Sequence, residues 1–150
     1  MKEIARILVV SRMTRSCRKA VHHGVSLAKK YNAELYVIHV AHNLFWMEGW
    51  NLPMISVQEA YKKEIKQIKW ELDEIIKKES DAGLAIREII KKGDPTKEIL
   101  KTVQEEKIDL LVMLAHEEGR LEHFLFGRSN EEIVRRMPCS VMLVKEDPQT

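Results

Sequence analysis

The chain has 150 residues, a length that suits one domain spanning 1–150 and lets folding bury roughly 70% of the unfolded surface. With 45% hydrophobic and 32% charged residues it is neither disordered nor membrane-spanning, and a formal charge of +2 is too small to indicate nucleic acid. The two cysteines, Cys17 and Cys139, have no metal-ligand or CxxC spacing and read as reduced thiols in a cytoplasmic protein; the opening MKEIARILVV lacks a leader's cleavage pattern.

Ile4–Val10 is a short run rich in β-branched residues and predicts a buried strand. Thr14 is the expected cap of a helix whose Cys17, Val21, Ala28 and Tyr31 recur at helical spacing. A second strand is expected over Ala33–Ala41, followed by the long connection HNLFWMEGWNLPMIS. Ser56-Val57-Gln58-Glu59 reads as a capping box, and Val57, Tyr61, Ile65, Ile68, Leu72 and Ile76 form one stripe of a helix reaching about Lys78. Leu84–Ile90 predicts a third strand. Asp94 and Pro95 then form an N-cap and a first helical position, with Ile99, Leu100 and Val103 facing inward. Ile108–Leu114 is continuously apolar, as a strand buried on both faces should be. A helix following Ser129 ends at Met137-Pro138, and Ser140–Lys145 is the fifth strand.

Strand and helix alternate along the whole chain, which implies an α/β fold: a mainly parallel sheet with helices on both faces. Ligands of such sheets bind beyond the carboxyl ends of the strands, where strand order reverses. The segments to inspect are therefore Ser11–Arg15, Val40–His42 and Met113–Ser129.

The blocks ILVV, LAKKYNAELYVIHV, KGDPTKEIL, IDLLVML and FGRSNEEIVRRMPCSVMLVK resemble, in order and spacing, the universal stress protein (UspA-like) family. The likeness runs along nearly the full chain except His42–Ala82. It implies a Rossmann-like fold of the adenine nucleotide alpha hydrolase type, with five parallel strands in the order 3-2-1-4-5. It also implies a homodimer joined through the last strand, Ser140 to Lys145. Many members bind ATP through G-x2-G-x9-G followed by Ser or Thr, aided by an Asp at the end of strand one. Here the third glycine is Gly127, but the first two positions hold Leu114 and Glu117, and the strand-one Asp position holds Arg12 with Met13 after it. Arg128 replaces the expected hydroxyl, and Asn130 stands where a second Ser or Thr is usual. Val40 corresponds to a backbone contact to adenine, and Met113 to the residue before the first glycine.

Glycines let backbone N–H groups approach an anion, so Leu114 obstructs that approach. Glu117 adds like charge, costing about 4 kcal/mol at ~4 Å for an effective dielectric near 20. The resemblance thus implies a stress-response binding or regulatory module with a degenerate nucleotide site, and no enzyme. ATP is the one cofactor it admits. The alternative is an ATP-binding member with slow or no hydrolysis, holding the nucleotide by Val40, Met113, Gly127, Arg128, Ser129 and Asn130. Another anion held by Arg12 and Arg128, with His116 beside them, is the further alternative. An adenylate-forming enzyme would need an SGGxD-like turn where the chain has SRMTRS.

Several features carry a plainer reading. Ser129 to Glu132 reads as a capping box before it reads as an anion site. Arg12, Arg15, Arg18 and Lys19 suit a solvated face. His39 and His42 lie at a strand end with no carboxylate expected in register, so no metal site is assigned. The loop Phe45 to Ile55 is apolar enough to be a satellite cluster, a lid or a surface for a protein partner.

Overall fold

The computed structural model describes residues 2–12, 14–41, 55–115 and 128–145. The elements are β1 (Arg6–Ser11), α1 (Cys17–Tyr31), β2 (Glu34–Ala41), α2 (Ile55–Asp81), β3 (Ile86–Lys92), α3 (Pro95–Glu105), β4 (Leu110–Leu114), α4 (Arg128–Arg136) and β5 (Ser140–Val144). The strands form one sheet in the order β3-β2-β1-β4-β5, and every neighbouring pair is parallel. The expected fold class and strand order are both realised. β1 is central, with Leu8 in register with Tyr36 on one side and Leu111 on the other. The chain runs from β1 outward to β2 and β3, then returns to β4, so the crevice lies where β1 and β4 end.

Alternation along the strands divides the core into two layers. Ile7, Val9, Leu35, Val37 and Val112 face α1 and α2, meeting Val21, Ile68 and Leu72. Leu8, Val10, Ile38, Leu111 and Met113 face α3 and α4, meeting Ile99, Val103 and Ile133. Each such aliphatic side chain contributes about 1.5–3 kcal/mol on full burial.

Local signals explain the helix starts, with corrections. Asp94 accepts from the Thr96 N–H at 3.0 Å and Pro95 is the first residue of α3, as expected; Gly93 supplies the positive φ of 130° that the preceding turn needs. Thr14 does not cap α1. Ser16 holds that position without a side-chain cap bond, while the Thr14 carbonyl accepts from the Cys17 N–H at 3.1 Å in the preceding turn. Tyr31 is exposed, because α1 ends there and Asn32 turns left-handed. Helix α2 begins by Ile55, placing Ser56 inside it, and continues to Asp81.

The strands shift by a residue or two from expectation. β3 runs to Lys92, and β4 starts only at Leu110, because Asp109 accepts from the Ala5 and Arg6 N–H groups at 2.9 and 3.0 Å. That carboxylate fastens the entry of β1 to the entry of β4. Ser129 lies within α4 rather than before it, and Glu132 accepts from Arg135 and Arg136 at 3.2 and 3.0 Å. The expected Ser129–Glu132 capping box therefore does not form: pairs at i,i+3 and i,i+4 take the carboxylate instead.

Candidate functional site

The site is built where β1 and β4 end and α4 begins. Arg12 follows β1 directly, and its backbone N–H donates to Cys17 Sγ at 3.0 Å, drawing the chain into the turn before α1. Its side chain is not on a solvated face. Arg12 is 7% exposed, and Nη2 donates to Asn130 Oδ1 at 2.8 Å. Asn130 in turn donates from Nδ2 to the Leu114 carbonyl at 2.9 Å. A guanidinium only donates and a carbonyl only accepts, so the two partners fix the orientation of the Asn130 amide. One amide thereby ties the exit of β1, the last residue of β4 and the first turn of α4 together.

The local electrostatics are cationic. Burial lowers the Arg12 pKa to about 10, a value at which it stays charged at neutral pH. The N-terminal end of α4 adds partial positive charge to the same place. Ser129, 3% exposed, has a buried hydroxyl with no hydrogen-bond partner among the described residues. Leaving such a group unsatisfied costs about 1–3 kcal/mol.

The remaining predicted residues are distributed as follows. Val40 and Met113 are buried on the α3–α4 face and share one apolar cluster with Ile133 of α4. Leu114 departs from expectation. Strand alternation carries its side chain into the α1–α2 core instead of standing it at the sheet edge, and its carbonyl is what reaches the site. Arg128 opens α4, but its side chain lies outside the described residues, as do Met13, His42, His116, Glu117 and Gly127. Phe45 to Met54 of the aromatic loop also lie outside, and Ile55 is described only as the first residue of α2.

The structure therefore brings Arg12 and Asn130 together, with the buried Ser129 next to Asn130 in α4, and places Val40 and Met113 in the apolar cluster of the α3–α4 face. Asn130 as the clip between Arg12 and Leu114 was missed. Its partners lie 118 and 16 positions away, and no local pattern signals them. Glu88 was missed too: it faces His39, with Oε1 at 3.7 Å from Nε2, so a carboxylate does stand opposite that histidine. Among the described residues, no group of three or more His, Cys, Asp and Glu is placed to hold a metal ion, and no helix is long and apolar enough to cross a membrane.

A second concavity of about 490 Å³ lies at the opposite end of the sheet, floored by Leu100, Val103, Ile108 and Pro138. Its rim cations Lys2 and Arg136 are engaged by Asp109 and Glu132 at 2.8 and 2.9 Å.

The sequence profile of the universal stress protein family matches residues 3–145. A universal stress protein of Methanocaldococcus jannaschii is 28% identical over 133 residues, covering 85% of this chain and 74% of the relative. Among solved structures, UspA of Lactobacillus plantarum superposes with a TM-score of 0.71 at 19% identity, covering 96% of this chain and 99% of that one. A universal stress protein family member of Arabidopsis thaliana, solved with AMP bound, gives 0.61 at 17% identity, covering 95% and 92%.

Proposed function

Because the chain belongs to the universal stress protein family, we propose that it acts in the cytoplasm as a stress-response binding or regulatory module, not an enzyme, with a degenerate nucleotide site. The observation that carries this reading is the buried bridge from Arg12 to Asn130 to the Leu114 carbonyl. An acceptor at the end of β1 would take hydrogen bonds from a ligand's hydroxyls; a guanidinium cannot. Asn130, whose amide could meet a phosphate at the start of α4, has both its oxygen and its nitrogen engaged within the protein. A nucleotide that displaced this bridge would leave its buried groups unsatisfied, at about 1–3 kcal/mol for each.

A second reading is favoured by two observations: the buried Arg12 cation, bonded to Asn130 in the first turn of α4, and the buried Ser129 hydroxyl, which has no hydrogen-bond partner among the described residues. Together they suit a small anion, or the phosphate of an adenine nucleotide such as the AMP of the Arabidopsis protein. Arg128 and His116 are the candidate further donors.

The protein is further proposed to be a homodimer. Leu143 of the edge strand β5 is 49% exposed, and pairing with a second copy would cover it. The aromatic loop Phe45 to Ile55 is the proposed surface for a protein partner.

Thermal-shift titration with ATP plus magnesium, with ADP and sulfate in parallel, separates the readings. A ligand at ~100 times its Kd stabilises by about 2.7 kcal/mol, several degrees for a chain of this size. The degenerate site predicts no saturable shift with ATP up to millimolar concentration. A shift shared with sulfate selects the anion reading, and one specific to ATP selects nucleotide binding.

A further inference from the structure

His39 is the third residue from the end of β2 and faces the α1–α2 layer, on the same side as Leu35 and Val37. It is 1% exposed, and neither ring nitrogen has a hydrogen-bond partner among the described residues. A fully buried imidazole without partners is costly to keep, so its surroundings bear on its purpose.

Three ionisable groups from two elements stand against it. Glu88 of β3 brings Oε1 to 3.7 Å from His39 Nε2. Lys69 of α2 donates to that same Oε1 and to Oδ1 of Asp73, so one ammonium bridges the helix to the sheet edge. From β1, the register partner of His39 is Ser11, which carries no charge. Among the residues that α1 buries on this face, the ionisable group is the Cys17 thiol. Among the described residues, Lys69 is thus the cation that acts on the ring, and it shares Glu88 Oε1 with it.

We propose that His39, Glu88 and Lys69 form a proton-responsive latch between α2 and the β2–β3 edge, in which protonation of His39 draws Glu88 from Lys69 and loosens α2. A neutral imidazole leaves the Lys69–Glu88 bridge intact. An imidazolium offers Nε2–H to the same carboxylate oxygen and sets a second cation against the Lys69 ammonium, and the repulsion between the two weakens the Lys69–Glu88 bridge. The helix so loosened covers the sheet face that carries Ile7, Val9, Leu35 and Val37, opposite the face on which Val40 lies.

Burial, aided by Lys69 and opposed by Asp73, lowers the His39 pKa from 6.5 to about 4. The unfolded chain therefore takes up the proton first, and stability contributed by neutral His39 is lost as pH falls from 6.5 toward 4. Burial also raises the Glu88 pKa, and a raised carboxyl has the opposite sign: its protonation favours the folded state as pH falls. Comparison with a chain lacking the imidazole isolates the histidine.

The test is urea unfolding of the full chain at pH 7 and pH 5, for the wild type and His39→Leu, with hydrogen exchange of residues 62–81 at both pH values. The folded-to-unfolded ratio of the wild type should fall about 20-fold more than that of His39→Leu between the two pH values. Amides of α2 in the wild type should lose protection at pH 5 ahead of those of β1 and β4, after correction for intrinsic exchange. Equal pH dependence of the two proteins overturns the latch, as does α2 protection that falls only in step with the central strands. Should His39→Leu not fold, the wild-type exchange measurement decides by itself.

Discussion

Arg12 and Asn130, 118 positions apart in sequence, meet through a buried hydrogen bond of 2.8 Å that joins the end of β1 to the first turn of α4. The bond is charge-assisted and shielded from water, so it should be worth more than a surface contact. Arg12→Ala and Asn130→Ala should each lower stability by about 1.5–3 kcal/mol, and the double variant by less than their sum, since each removes the other's partner. Denaturant unfolding of the three variants checks this; additive losses would show that the two residues act independently.

Gly24 lies in the middle of α1, where alanine would ordinarily favour the helix by about 1 kcal/mol. A Cβ at this position would stand 2.3 Å from Val9 Cγ2, because α1 packs directly onto β1. Gly24→Ala should therefore destabilise by about 1–3 kcal/mol through overpacking. Adding Val9→Ala should recover part of the loss by removing the clashing methyl. A Gly24→Ala chain as stable as the wild type would contradict this close approach.

Those two pairs mark where the sequence was legible and where it was not. IDLLVML, buried on both faces, and the Asp94-Pro95 start of α3 were readable because short-range chemistry decides them. Strand order came with the family resemblance. The need for glycine at position 24 was invisible, since it depends on a strand more than a dozen residues away. Ser129 and Glu132 misled for a related reason: their spacing permits a capping box, but Arg135 and Arg136 compete for the same carboxylate and prevail. Arg12 read as a surface charge because its partner Asn130 is distant in the chain.

Asp109 should give the protein an acid-sensitive fastening. Burial would raise its pKa, but the Lys2 ammonium and the Ala5 and Arg6 N–H groups outweigh that and hold it below the ordinary carboxylate value. A lowered folded pKa contributes stability that is present above the unfolded value of 3.8 and lost as pH falls through the folded one. Asp109→Asn should cost about 1.5–3 kcal/mol at pH 7 by removing charge-assisted bonds to the start of β1. The difference from wild type should shrink below about pH 4. Urea midpoints measured from pH 7 to 3 would show whether the two curves converge.

The proposed homodimer can be tested at β5. Leu143 is exposed there on an edge strand, so Leu143→Lys should shift sedimentation from dimer to monomer while leaving the circular dichroism of the fold unchanged. A wild-type chain that sediments as a monomer at tens of micromolar would remove the basis for this assembly.

The degenerate site is tested most directly by equilibrium binding of ATP plus magnesium to the wild-type chain, followed by isothermal titration calorimetry at low salt. The bridge from Arg12 through Asn130 to Leu114 predicts a Kd weaker than about 1 mM, less than ~4 kcal/mol of net binding. A saturable one-to-one isotherm with a micromolar Kd would contradict it, and would mean that the start of α4 still holds phosphate.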